Sequence, residues 1–268
     1  MPGAGARAAL LGSRFADVRH VAETDSTNER LLVLARAGAP EGVVLVADHQ
    51  TRGRGRRRRD WVAPPGSSLL VSALLRPPLA PARAHLVGLV AALAASDACA
   101  EVAGFRPALK WPNDVVVAGP GGTRKLAGVL VESVTEGATL GAVVVGMGLN
   151  LVVPPELAPE VAAVAVAASE VAGRPVGRDH LLVSWLGHLD RGYAGLCQPR
   201  GAAAAVSRYG ERCGTLGQVV RVETATGTFE GRAVDLTADA HLVVEVGGGG
   251  ATRTVAAADD VVHLRPAG

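Results

Sequence analysis

The stretch Gly53-Arg54-Gly55-Arg56-Arg57-Arg58-Arg59-Asp60-Trp61 decides how the rest of the chain is read. It follows the apolar run Val43-Val44-Leu45-Val46 and precedes Leu69 to Leu75, so it is a loop between two predicted strands. The glycines let the backbone bend closely around a ligand. Guanidinium forks take carboxylate or phosphate oxygens in pairs, and an indole face stacks on a planar base. That chemistry points to closure over an anionic, partly aromatic molecule. With Asp48 and Asp60 as the nearest acids along the chain, the empty loop is expected to repel itself until an anion arrives. A solvated basic loop, or an Arg/Gly tract on nucleic-acid phosphates, would have the same composition. What separates the three lies elsewhere.

A chain of 268 residues fits one large domain, or one domain with a small appendage. Hydrophobic residues make up 49%, enough for a sizeable core, and a net charge of +2 is too small for a protein that coats nucleic acid. Cys99, Cys197 and Cys213 are widely spaced, with no Cys-x-x-Cys. That speaks against a disulfide framework or zinc site and for a reducing compartment. There is no signal-peptide pattern, and no charge-free apolar run of about 18 residues to span a bilayer. The expectation is a soluble cytoplasmic protein with no membrane partner. Lysine occurs only at Lys110 and Lys125, against 25 arginines, and asparagine only at Asn28, Asn113 and Asn150. A chain that has replaced these residues elsewhere is expected to keep them where the substitute fails, since lysine is a point charge and arginine a planar fork.

All five fall in short motifs. Residues before about Val18 read as a loose lead-in, too few for a helix-turn-helix domain. Ser26-Thr27-Asn28-Glu29 then opens an amphipathic helix, and Ser26 with Glu29 matches a capping box. Thr27 and Asn28 are poor helix formers, so this N-terminus is a candidate site for a small polar group. Gln50 ends the first apolar strand and offers both donor and acceptor to an amide or ureido group. His49 reads as an ordinary loop histidine. A helix is expected from about Pro81 to Val102. Lys110-Trp111-Pro112-Asn113-Asp114 runs from a strand into a turn, where Lys110 and Asp114 suit either a surface ion pair or a phosphate-plus-Mg²⁺ site. Beyond the Gly119–Gly122 hairpin, Lys125-Leu126-Ala127-Gly128 begins a strand that allows close approach. Another strand ends in Gly146-Met147-Gly148-Leu149-Asn150. The run from Val153 to Gly177 is long enough for a mobile lid, and helices follow over Arg178–Leu196 and Ala202–Tyr209. From about Thr215 to Leu264, short β-runs about ten residues apart predict a small barrel. The boundary is placed near Cys213, giving a catalytic domain at 1–213 and a C-terminal domain at 214–268.

These motifs in this order resemble the biotin–protein ligases, or biotin–[acetyl-CoA-carboxylase] ligases, of the group lacking an N-terminal DNA-binding domain. The resemblance covers roughly residues 20 to 265. Arg58 stands where the family usually has a third loop glycine, and the Ala/Val run at Ala163–Ala167 stands where it often has Thr-Ser-Leu. The implied fold is a mixed-sheet α/β (α+β) catalytic domain followed by an SH3-like β-barrel. The implied reaction joins biotin and ATP into biotinyl-5′-AMP, then transfers biotin to a lysine of a biotin carboxyl carrier protein or domain of an acyl-CoA carboxylase. On the family pattern, Lys125, Arg54 and Arg56 are catalytic. Ser26, Thr27, Asn28, Gln50, Arg54, Gly55, Arg56 and Lys125 bind biotin, and Trp61, Asn113 and Asn150 bind nucleotide, with Trp61 stacked on adenine. Asp114 is the candidate Mg²⁺ ligand. The expected state is a monomer or weak homodimer that binds no nucleic acid. A lipoate–protein ligase shares fold and chemistry, but the Gly-Arg-Gly-Arg loop argues against it. A nucleic-acid-binding regulator would leave both lysines and all three asparagines unexplained.

Overall fold

The computed structural model describes residues 4–263 apart from 57–58, 120–121, 156, 225–226, 248 and 257–259. Arg57, Arg58, the tip of the Gly119–Gly122 hairpin and Leu264 therefore lie outside the described residues. The first helix, α1 (Ala4–Leu10), occupies what reads in sequence as a loose lead-in. Strand β1 (Val18–Thr24) crosses through α2 (Thr27–Arg36) to a parallel partner, β2 (Val44–Gln50). Strand β3 (Ser68–Leu75) then runs antiparallel to β2, with every residue buried. Burial on both faces is what makes such a strand read as a nearly unbroken apolar run.

The predicted long helix is three pieces. A 3₁₀ turn at Pro81–Arg83 leads into α3 (Leu86–Ala98), and a π turn at Cys99–Ala103 ends at Gly104, whose φ of 82° only glycine adopts without strain. On length and composition Pro81–Ala103 could cross a membrane, at a mean hydropathy of 1.7, yet 78% of that window is buried inside the protein. Only Asp97 among the residues of α3 escapes burial. A helix apolar all round belongs inside a core.

Four further strands, β4 (Ala108–Lys110), β5 (Asp114–Gly119), β6 (Gly122–Glu136) and β7 (Thr139–Asn150), complete a seven-stranded mixed sheet in the order β1-β2-β3-β7-β6-β5-β4. Leu31, Leu32 and Ala35 of α2 cover one face against Leu45, Leu74 and Val144. The other face, with Val46, Val71 and Val145, belongs to a larger cluster shared with α3. The run from Val153 to Gly177 contains two short helices, α4 (Pro159–Ala162) and α5 (Ala168–Ala172). It is tied to the first half of β6, since Lys125 N donates to Val164 O (2.7 Å) and Val166 N to Lys125 O (2.9 Å). Helices α6 (Arg178–Leu196), which packs against α3, and α7 (Gly201–Gly210) follow.

The C-terminal strands correct the expected barrel. Strands β8 (Val219–Thr224), β9 (Gly227–Leu236), β10 (Leu242–Val246), β11 (Ala251–Val255) and β12 (Asp260–His263) form one antiparallel sheet in the order β11-β10-β9-β8-β12. Among the described residues its two edges do not pair, so the sheet is open and not an SH3-like barrel. Ten-residue spacing reports successive hairpins, whereas closure needs a first-to-last pairing that spacing does not encode. The inner face, with Val220, Val222, Ala233, Leu242 and Val244, is buried in the same cluster as the large domain's core.

Candidate active site

Two paired strands make the floor. Gly128 lies opposite Gly148, and Leu130 opposite Gly146, in the β6–β7 register. The glycines are required by what covers them. A Cβ on Gly146 would run into the Asn28 carboxamide, and one on Gly148 would lie 2.5 Å from the Trp61 indole. On Gly128 it would come within 3.2 Å of both Lys125 Nζ and Trp61. Side chains of one strand face repeat every second residue, so Asn28 and Trp61 lie side by side above β7. A cleft of about 250 Å³ opens over them.

The end under α2 is neutral and hydrogen-bonded. Ser26, Thr27 and Asn28 are buried at the helix start and all line the cleft. The predicted capping box does not form. Ser26 stands at the N-cap without a side-chain cap bond, and Glu29 instead forms an ion pair with Arg54. Gln50 Oε1 accepts from Thr27 N (2.7 Å) and lies 2.9 Å from Thr27 Oγ1. Asn28 Nδ2 donates to Glu132 Oε2 (2.9 Å), while Asn28 Oδ1 lies 2.6 Å from Ser72 Oγ. Ser72 and Glu132 were not singled out in the sequence. Ser72 was visible only as a lone hydroxyl in an apolar strand.

The other end is cationic. Lys125 Nζ sits 2.7 Å from Asp114 Oδ1 and 5.3 Å from the centre of the Trp61 ring. Trp61 has one face on the glycine floor, and its buried Nε1 has no hydrogen-bond partner among the described residues. Arg54, Gly55, Arg56 and Lys110 also line the cleft. Arg56 Nη1 donates to Asn113 Oδ1 (3.3 Å), and Asn113 Nδ2 donates to Val129 O (2.9 Å). Asn113 thus lines the cleft with its amide tied to the loop on one side and β6 on the other. Asn150 lies outside the cleft wall. Its Nδ2 donates to Lys125 O (3.3 Å) and Val166 O (3.2 Å), which fastens the 153–177 run to the strand bearing Lys125.

The loop has more countercharge than its sequence neighbourhood implies. Glu29 pairs with Arg54, and Asp25 with Arg52 (3.4 Å). Asp48 is engaged elsewhere, by Arg178 (2.5 Å) and His20 (2.9 Å). Burial works to raise the Asp48 pKa, but the His20 and Arg178 hydrogen bonds outweigh it and leave the carboxyl below its ordinary value. The loop base is zipped by Trp61 N to Gly53 O (2.9 Å) and Gly55 N to Arg59 O (2.7 Å). Among the described residues no group of three or more His, Cys, Asp or Glu could hold a metal ion. The three cysteines are free, and burial pushes the Cys99 thiol up to about 12.

A mixed sheet with a glycine floor, a hydrogen-bonding end and a cationic end defines an acid-activating ligase of the biotin/lipoate kind. Residues 21–150 match the Biotin/lipoate A/B protein ligase family. The biotin–[acetyl-CoA-carboxylase] ligase of Mycobacterium tuberculosis is 37% identical over 95% of this chain and 91% of its own. The bifunctional ligase/repressor of Bacillus subtilis is 30% identical over 84% of this chain and 68% of its own. A biotin protein ligase from Aquifex aeolicus, solved in complex with biotin and ATP, superposes with a TM-score of 0.77 at 25% identity, covering 93% of this chain and 100% of that one. The chain belongs to the biotin–protein ligase family. It is an ATP-dependent ligase that forms C–N bonds, activating biotin as biotinyl-AMP and passing it to a protein carrier.

Proposed function

We propose that the cleft holds the biotin ring at its α2 end and the acyl-adenylate junction at Lys125, with residues 1–213 carrying both substrates. The observation that carries this reading is the placement of Lys125 Nζ, beside Asp114 and 5.3 Å from the centre of the Trp61 ring, over the same glycine floor that Asn28 covers. Biotin's carboxylate must approach an anionic α-phosphate, and two like charges do not meet without neutralisation. Lys125 supplies a point charge where both sets of oxygens converge, and Arg54 and Arg56 hold the phosphate side. For Arg54 this means exchanging Glu29 for a substrate anion. Ser26, Thr27 and Gln50 contact the ring system. Trp61 offers its uncovered face to the ligand, and Asn113 holds Arg56 toward the nucleotide.

Among the described residues Asp60 and Asp114 are the two carboxylates in the cleft wall, and Mg²⁺ is commonly bound through one or two carboxylates plus substrate phosphates. Asp114 would hold it. When bound, the ion adds Lewis-acid neutralisation of phosphate charge. In the second step the neutral amine of a carrier lysine attacks the acyl carbon, the C–O bond to phosphate breaks, and AMP leaves with the electron pair. The ammonium proton passes to solvent. Chemistry of this kind needs a carrier whose lysine reaches the cleft, such as a biotin carboxyl carrier domain of an acyl-CoA carboxylase. Free thiols and ATP as substrate both support a cytoplasmic location.

The test is ATP–pyrophosphate exchange with biotin or lipoate, followed by labelling of a purified carrier domain. Exchange with biotin and biotinylation of the carrier lysine are expected. Exchange with lipoate alone would overturn the reading.

A further inference from the structure

Ser72 is a fully buried hydroxyl in the middle of β3, between Val71 and Ala73. Its Oγ lies 2.6 Å from Asn28 Oδ1 and 2.7 Å from Thr27 Oγ1. Beyond Asn28, the Nδ2 group donates to Glu132 Oε2 at 2.9 Å. Beyond Thr27, Oγ1 lies 2.9 Å from Gln50 Oε1, which already accepts the Thr27 N–H at 2.7 Å. A continuous polar line therefore runs from Glu132, which does not line the cleft, to Gln50, which does.

Counting protons fixes the direction of that line. A carboxylate only accepts, so Glu132 at 2.9 Å, with the longer contact to Leu130 O at 3.4 Å, holds the Asn28 NH₂ and turns Oδ1 toward Ser72. Oδ1 also only accepts, so Ser72 commits its one hydroxyl proton there. Ser72 Oγ is then a buried acceptor, and among the described residues the donor in reach is the Thr27 hydroxyl at 2.7 Å. Leaving it unmet is costly, and Gln50 Oε1 already has the Thr27 N–H, so the Thr27 proton turns to Ser72. The contact left short of a proton is the one at the cleft, between Thr27 Oγ1 and Gln50 Oε1. A ligand N–H satisfies it. A ring with no N–H leaves it unmet, and sites built on such hydrogen bonds reject analogues that lack them.

We infer that Glu132 is a positioning residue for substrate selection, which fixes the Asn28 amide and so orders the Ser72 and Thr27 hydroxyls to favour a ring bearing N–H donors. The ureido ring of biotin has those donors and a dithiolane ring has none. The inference rests on the reading of this end of the cleft as the biotin-ring site.

The experiment compares Asn28→Asp, Glu132→Gln and the double variant. Each is assayed for melting temperature and for biotin and ATP KM in ATP–pyrophosphate exchange. The side-chain amide resonance of Asn28 is followed by ¹⁵N NMR without substrate. Asn28→Asp sets two carboxylates face to face and is expected to raise biotin KM about 100-fold. Glu132→Gln frees the amide to turn and raises it about tenfold. The double variant restores one carboxylate and one amide in exchanged places, and its biotin KM returns to within about threefold of wild type. ATP KM and kcat stay put. A merely structural role would lower melting temperature and shift both KM values, with no rescue. A double variant as weak as the product of the singles overturns the inference. If Asn28→Asp does not fold, recovery of folding and biotin KM in the double variant is the same rescue. The amide resonance must move in Glu132→Gln, and an unmoved resonance overturns the relay whatever the substrate. Wild type that fails to exchange with biotin would refute the biotin reading alone.

Discussion

Lys125 is held by more than its own strand. Its backbone is bonded to Val164 and Val166, its carbonyl also accepts from Asn150, and its ammonium is fixed between Asp114 and the Trp61 face. In the proposed role that point charge is stronger in the transition state than in the ground state. Lys125→Ala is expected to fold and bind biotin while adenylate formation falls by about 3–4 kcal/mol of transition-state stabilisation. Lys125→Arg should fail as well, because Gly128 and Trp61 leave little room for a planar fork where Nζ sits. Single-turnover adenylate formation checks both, and an active Arg variant would refute the point-charge role. Gly148→Ala probes the floor, since its Cβ would lie 2.5 Å from the indole. Trp61 or β7 must shift, at a stability cost of about 1–3 kcal/mol. Biotin affinity should drop with it, which calorimetry reads directly. Of the scarce residues, Asn28, Lys110, Asn113 and Lys125 line the cleft and Asn150 does not. Asn28, Asn113 and Asn150 each use both the donor and the acceptor of one planar amide on their partners, which neither Asp nor Arg can do. Which partners those are depends on strands far apart in sequence, so Ser72 and Glu132 stayed invisible.

The arginine loop acts as one element anchored at both ends. Its base is closed by the Gly53–Trp61 backbone bond, and its cations are pre-paired with Asp25, Glu29 and Asn113. Local sequence showed the excess of charge but not these partners, which arrive from α2 and from the turn before β5. Closing on an adenylate is then an exchange of partners. Its driving force is the difference between a protein carboxylate and a substrate anion, not the full attraction. Arg56→Gly removes one cation and releases Asn113, so the reactive adenylate should be retained less well while the fold survives. Biotinyl-AMP that escapes reacts with any free amine. Bovine serum albumin incubated with enzyme, biotin and ATP should therefore be labelled more by Arg56→Gly than by wild type. Equal labelling, with the variant still making adenylate, would remove the loop from the role of gate.

At the scale of the whole molecule, the periodic parts of the fold were legible and the long-range pairings were not. The apolar runs marked β2, β3 and β7, and the amphipathic repeat marked α6, because burial writes a period into the sequence. The open C-terminal sheet was read as closed because strand spacing does not say which edges meet. Nor does spacing show that this sheet supports the catalytic cleft. Trp111, 1% exposed, donates its backbone N–H to Thr215 Oγ1 (3.0 Å) and its Nε1 to Ala240 O (2.9 Å). Leu109 is bonded in turn to Arg212 O and Gly214 N. Trp111 is followed by Pro112, Asn113 and Asp114, all in the cleft wall. Removing residues from Thr215 onward would take the acceptors of both the Trp111 backbone N–H and its buried indole N–H, and expose the cluster that Val220 and Val244 share with α3. A proposed boundary at 213/214 is therefore one of chain order and not of independent stability. Truncation there is expected to lower the melting temperature and weaken adenylate formation as well as transfer to the carrier. Thr215→Val makes the same point without deleting the sheet, since it leaves the buried Trp111 N–H without its acceptor at a cost of about 1–3 kcal/mol. Measuring the two half-reactions separately decides it. If the truncated protein makes biotinyl-AMP at the wild-type rate and fails only in transfer, the contact through Trp111 does not support the cleft, and the C-terminal sheet serves the carrier alone.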